Sequence, residues 1–169
     1  MKKRTQYVGT AGQLAVMAEF AARGYNVAMP EIDYGDDVFV TLQDTAKIWR
    51  IQVKTATPTA KNTTVKKPRS ERYQLAVGET FLNDKDDNPP VYIVFCLRFS
   101  NIWRFLIIPR ARLAEYHKDH QIGQQSGDNI KFDVAIHYEG TAKGKILCGG
   151  QELTRWEQEW SPWPKQAFA

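Results

Sequence analysis

Two short runs of alternating hydrophobic and polar residues lie close together in the first third of the chain. In Val38–Leu42, Val38, Val40 and Leu42 share one face of an extended strand, while Phe39 and Thr41 share the other with Asp37 just ahead of them. In Trp49–Lys54, Trp49, Ile51 and Val53 fall on one face and Arg50, Gln52 and Lys54 on the opposite one. Before these runs the period changes. Thr10-Ala11-Gly12-Gln13 fits a capping box and predicts a helix starting near Thr10, with Leu14, Met17, Ala18, Ala21 and Tyr25 at helical spacing and Gly24 as its stop. A short strand over Val27–Met29 then ends at Pro30.

Downstream, Thr55–Arg72 reads as a surface loop, Tyr73–Val77 as a short strand and Asn83–Pro90 as a polar turn. Val91–Phe99 and Trp103–Ile108 read as consecutive buried strands. Pro109 opens a short helix through Tyr116, and His117–Asn129 reads as irregular. Phe132–Tyr138 is a late strand and Lys145–Leu147 a further one. Glu152–Trp160 is expected to be helical, with Leu153, Trp156 and Trp160 on one stripe and Pro162 and Pro164 beyond it. With no internal repeat and no linker, the order of elements predicts a mixed α/β fold.

Composition narrows the class. The 169 residues suit one domain, 1–169, large enough to bury a core without staples. Hydrophobic residues at 43% and charged residues at 25% match an ordinary soluble globular protein. No apolar stretch approaches the length of a membrane helix, and Lys2-Lys3-Arg4 lacks the apolar segment of a secretory signal. Cys96 and Cys148 stand singly, without ligand-like spacing, which fits free thiols in a reducing, cytoplasmic setting.

The net charge of +4 is modest, but its distribution is uneven. Lys47 to Arg72 holds eight basic residues and one acid, Glu71, whereas Glu31 to Asp44 holds five acids and no base. An acidic spot beside a basic stretch suits a metal site within a surface that binds a polyanion. If the two alternating runs pair, the Asp37 carboxylate, the Gln52 amide oxygen and the Lys54 ammonium converge at neighbouring strand ends. Such a set can hold a hard cation against a phosphate. Alternation favours Asp37, and a turn at Gly35 would shift the register to Asp36, with Asp33 and Glu31 as further acids nearby. His117 and His120 lack a third ligand for zinc, and Trp156, Trp160 and Trp163 are explained by packing.

The stretch from Gly12 to Thr55 resembles the PD-(D/E)xK nuclease superfamily, whose pattern is a leading helix, an Asp at a strand start and (E/Q)-x-K on the next strand. Gly24-Tyr25-Asn26-Val27, Pro30, Asp37-Val38-Phe39-Val40 and Trp49–Thr55 are similar to a bacterial endonuclease-like branch that uses Gln-x-Lys. The resemblance implies a restriction-endonuclease-like core, a central mixed β-sheet flanked by α-helices. It implies Mg²⁺ or Mn²⁺ held by Asp37 and Gln52, with the Val53 carbonyl as a plausible further ligand and Asp36 as a candidate to complete the set. Lys54 would be the motif lysine, giving Asp37, Gln52 and Lys54 as the catalytic residues. Many superfamily helices place Glu where this chain has Gln13, to which the capping box gives a structural role. The expected activity is metal-dependent DNA endonuclease, with Lys47, Arg50, Lys61, Lys66, Lys67, Arg69 and Arg72 gripping phosphates and a homodimer or larger assembly cutting duplex. A non-catalytic nucleic-acid-binding module and a protein-interaction domain built on the aromatic C-terminus are the alternatives.

Overall fold

A 21-residue helix, α1 (Lys2–Ala22), leads into three strands, β1 (Asn26–Ala28), β2 (Val38–Thr41) and β3 (Ile48–Ala56). The structure, a computed structural model, describes residues 2–31, 35–42, 45–59, 70–99, 101–138 and 144–163, the side chains of 2–5 excepted. The chain continues through β4 (Ser70–Gly78), α2 (Glu79–Asn83), β5 (Val91–Phe99), β6 (Ile102–Pro109) and α3 (Arg110–His120). It ends with β7 (Gln124–Ser126), β8 (Asn129–His137), β9 (Lys145–Cys148), β10 (Gln151–Glu152) and a 3-10 turn at Thr154–Trp156.

The predicted alternation produces the β2–β3 pair, with Val38 opposite Ile51 and Val40 opposite Trp49. These strands belong to a mixed sheet of order β1-β2-β3-β5-β6, antiparallel except where β3 and β5 run parallel. A second, antiparallel sheet has the order β10-β9-β8-β4, with β7 also paired to β8. On one face of the first sheet, Val38, Val40, Ile51, Val53 and Phe105 pack against Val16 and Phe20 of α1. On the other face, Ile93, Phe95 and Leu97 of β5 pack against Tyr73, Leu75 and Val77 of β4, Phe132 of β8 and Leu113 of α3. Strand β5 is covered on both sides, which is why it reads as a continuous apolar run rather than an alternating one. The mixed central sheet and its helices match the expected class, with a second sheet sharing one of the covering faces.

Several expectations are corrected. Helix α1 begins at Lys2, so Thr10 and Gln13 lie inside it and form no capping box. Its buried stripe is Gly12, Val16 and Phe20, whereas Leu14 is 55% exposed. The reason is steric: a Cβ on Gly12 would lie 1.9 Å from the Thr55 hydroxyl oxygen, so the helix rests on β3 through the one face with no side chain at the crossing. His117–Asn129 is not irregular, because α3 runs to His120 and β7 follows a left-handed Gln121.

The helix expected over Glu152–Trp160 does not form. Instead β10 and the 3-10 turn lead to a bridge between Glu157 and Leu106, and the Gln158 N–H donates to the Phe105 carbonyl at 2.9 Å. Strand β6 is the edge of the first sheet, and its free backbone groups recruit this segment. The tryptophans explain the choice. Trp156 packs in the core between the sheets, while Trp160 and Trp163 pack beneath α1 with ring centroids 5.3 and 5.1 Å from Phe20. One helical stripe could not reach both faces of a sheet; an extended segment wrapped around its edge does.

Both cysteines are buried and free, and burial pushes the Cys148 thiol up to about 12. Among the described residues no helix is long and apolar enough to cross a membrane.

Two substitutions test this packing by urea denaturation. Gly12→Ala is expected to lose about 1–3 kcal/mol, the usual range for overpacking, and Thr55→Ala in the same chain should return part of it. Trp163→Ala should lose about 3–5 kcal/mol, as for a large aromatic removed from a core; a negligible loss would mean that the C-terminal segment is not part of the fold's interior.

Candidate functional site

Strand β2 is shorter than its partner. The Asp37 N–H donates to the Ile51 carbonyl at 2.9 Å and extends the ladder by one bond. The chain leaves the strand direction at Gly35, whose φ is +100° and where a Cβ would lie 2.8 Å from the Phe81 ring. Both the conformation and the space therefore require glycine. Strand β3 runs on past β2, paired only with β5 on its other edge, and the Val53 N–H has no β2 residue beside it. The Asp37 carboxylate takes that place, its Oδ2 accepting from Val53 N at 2.6 Å. Its Oδ1 accepts from Gln13 Nε2 on α1, also at 2.6 Å. Because N–H and C=O of one strand residue point to the same edge, the Val53 carbonyl opens toward the side where Asp37 sits.

Gln52 is nearly buried, at 4% exposure, and its Nε2 donates to the Gly35 carbonyl at 2.8 Å. That contact fixes the amide, since the opposite orientation would set oxygen against oxygen. Among the described residues the buried Gln52 Oε1 meets no donor. Two residues on, Lys54 projects from the same side of β3. Asp37, Gln52 and Lys54 line one crevice of about 480 Å³ together with Arg50, Gly78, Thr80, Phe81, Asp84 and Asn129. Among the described residues no carboxylate lies within ion-pair distance of Lys54.

Other sequence candidates are dispersed. Asp36 is buried but does not line the crevice; its Oδ2 pairs with Arg50 Nε at 2.9 Å. Arg50 does line it, with part of its charge committed to that pair. Lys47 borders a different hollow, beside Trp49 and Pro89. Arg72 belongs to β4 rather than a loop, stands on the outer face of the second sheet and pairs with Asp133 at 3.0 Å. Lys61, Lys66, Lys67 and Arg69 lie outside the described residues. His117 Nδ1 engages the Ile122 carbonyl, a structural contact.

The far wall of the crevice was invisible in the sequence. Arg110, the first residue of α3, is fully buried and binds Asp84 at 3.1 Å, Asp87 at 2.8 Å and the carbonyls of Phe81 and Asp86. It ties down the segment that presents Phe81 and Asp84. The Asp86 N–H and the Arg110 guanidinium hold the Asp84 carboxyl below its ordinary range. The acids Asp84, Asp86 and Asp87 were a visible signal, but their partner becomes obvious only once Tyr92 of β5 is set opposite Pro109.

The crevice thus offers oxygen donors and one ammonium. Among the described residues no three His, Cys, Asp or Glu side chains cluster as a metal site. No protein-family model matches the chain, and no curated protein matches it. Among solved structures, it is similar to the Holliday junction resolvase Hjc of Archaeoglobus fulgidus, at 15% identity and a TM-score of 0.44, over 74% of this chain and 83% of that one. It is also similar to the bacterial homing endonuclease I-Ssp6803I, at 14% identity and a TM-score of 0.53, over 92% of this chain and 89% of that one. The likeness to the homing endonuclease shows the fold: the chain has the restriction-endonuclease-like mixed α/β core expected from its sequence.

Proposed function

We propose that this protein is a metal-dependent endonuclease that hydrolyses phosphodiester bonds in DNA. The reading is carried by the crevice in which Asp37, Gln52 and Lys54 converge from two paired strands. A fold in common with a homing endonuclease supports it.

The residues fit a hard divalent cation, Mg²⁺ or Mn²⁺. Asp37, the Gln52 Oε1 and the Val53 carbonyl are oxygen donors, the type such ions prefer. A buried acceptor with no donor is costly, roughly 1–3 kcal/mol, and a bound cation would satisfy Gln52 Oε1. When bound, the ion would polarise the scissile phosphate and lower the pKa of the attacking water. Lys54 would orient that water and offset the negative charge that grows on the phosphoryl oxygens. Arg50, on the crevice wall, would hold an adjoining phosphate. Lys61, Lys66, Lys67 and Arg69 follow β3 in the chain, so backbone contacts are assigned to them before Lys47 or Arg72. Cutting both strands of a duplex would take two copies of the site, supplied by a homodimer or larger assembly.

A second reading is a nucleic-acid-binding module without efficient cleavage, and it is favoured by an amide, Gln52, standing where an acid would bind a cation more strongly, with no cluster of three His, Cys, Asp or Glu among the described residues. Supercoiled plasmid incubated with Mg²⁺ or Mn²⁺ separates the two. Cleavage by the wild type, absent in EDTA and reduced about 10²-fold or more in Lys54→Ala and Asp37→Asn, is the expected result. Asp37→Asn retains an acceptor for the Val53 N–H, so its loss would report chemistry rather than unfolding. Binding that weakens steeply with salt but never yields metal-dependent cleavage would leave only the module.

A further inference from the structure

We propose that Gln13 is a positioning residue of this site, whose side-chain amide holds the Asp37 carboxylate in place before any cation arrives. The part of this inference that concerns the cation rests on the nuclease reading; the part that concerns Asp37 does not.

The geometry is specific. Gln13 Nε2 lies 2.6 Å from Asp37 Oδ1, although the two residues are 24 positions apart and on different elements. An ionised carboxylate only accepts, so the amide must present its NH₂ half. The other oxygen, Oδ2, already receives the Val53 N–H. A carboxyl group rotates readily about its last torsion when it has one partner. Two donors, one from α1 and one from β3, stop that rotation, so a ligand meets the carboxylate in a single orientation. Gly12 makes this possible, because only a residue without a Cβ lets α1 approach Thr55 closely enough for the next side chain to reach Asp37.

Gln52 follows the same logic one loop away, its NH₂ anchoring the Gly35 carbonyl. Two neutral amides thus brace the segment from Gly35 to Asp37. An acid at position 13 would instead set two carboxylates in contact, and the site would assemble only around a cation or a proton. With glutamine the site is formed in advance, and its attraction for the cation is weaker by one charge.

A double-mutant cycle between positions 13 and 37, with Mn²⁺ binding followed by electron paramagnetic resonance, tests this. In EDTA, Gln13→Glu should lower the melting temperature, most of the loss should vanish when Asp37→Asn is present, and Mn²⁺ should restore it where Asp37 is kept. Gln13→Leu, folded by circular dichroism, should bind Mn²⁺ about tenfold more weakly than wild type, the size expected when a ligand loses its supporting hydrogen bond. Gln13→Glu should bind it more tightly. Equal melting losses for Gln13→Glu with and without Asp37→Asn would overturn the proposal, as would unchanged Mn²⁺ affinity in Gln13→Leu. If the wild type binds no Mn²⁺ yet the coupling persists in EDTA, the metal-dependent reading fails and the positioning role stands.

Discussion

Where β2 ends, β3 continues, and the backbone N–H of Val53 is left on an edge with no strand to receive it. A buried donor in that state is destabilising, and the Asp37 carboxylate relieves it at 2.6 Å. This bond does two things at once. It ends the antiparallel pair cleanly, so that Gly35 can turn the chain away, and it fixes a negative charge at the mouth of the crevice. The same residue that completes the sheet is thereby aimed at the space where Gln52 and Lys54 project.

The surroundings favour neutral donors over acids. Gln13 and Gln52 hold Asp37 and Gly35 through their NH₂ groups, and Arg50 absorbs the charge of Asp36. Asp37 brings its carboxylate onto the Val53 N–H, while Asp84, which also lines the crevice, is gripped by Arg110. An acid in place of Gln52 would turn its oxygen against the Gly35 carbonyl. The amide at that position is therefore matched to this loop, not an isolated replacement.

The layered architecture decides how open the crevice is. The second sheet covers β5 and its neighbours but ends at Gly78 and Asn129, both of which line the crevice. Beyond that end the polar face of β3 borders the crevice instead of the second sheet. On the opposite face α1 seals the sheet, helped by Trp160 and Trp163, which reach it because the last segment pairs with the β6 edge. The aromatic C-terminus is thus packing material for both cores. No protein-interaction role is needed to account for its three tryptophans.

The residues of β2 and β3 were legible in the sequence because alternation is a local property: Val38, Val40, Ile51 and Val53 had to share a face, which put Gln52 and Lys54 on the other. The long apolar run of β5 was legible because a strand covered on both faces is apolar at successive positions, which is equally local. What could not be read was every choice made by contacts between distant segments. Leu14 looked like a core residue until Gly12 took the crossing with β3; Gln13 looked like a cap until α1 brought it to Asp37; Glu152–Trp160 looked helical until the β6 edge offered hydrogen bonds. Arg110 gave no sign of its four partners among residues 81–87. Periodicity reports which side of an element is apolar, but it carries no information about what arrives to cover that side. The sequence alone therefore determined the pair of strands and the side chains they present on each face, and the packing of α1 and of the segment held by Arg110 decided the shape and support of the crevice.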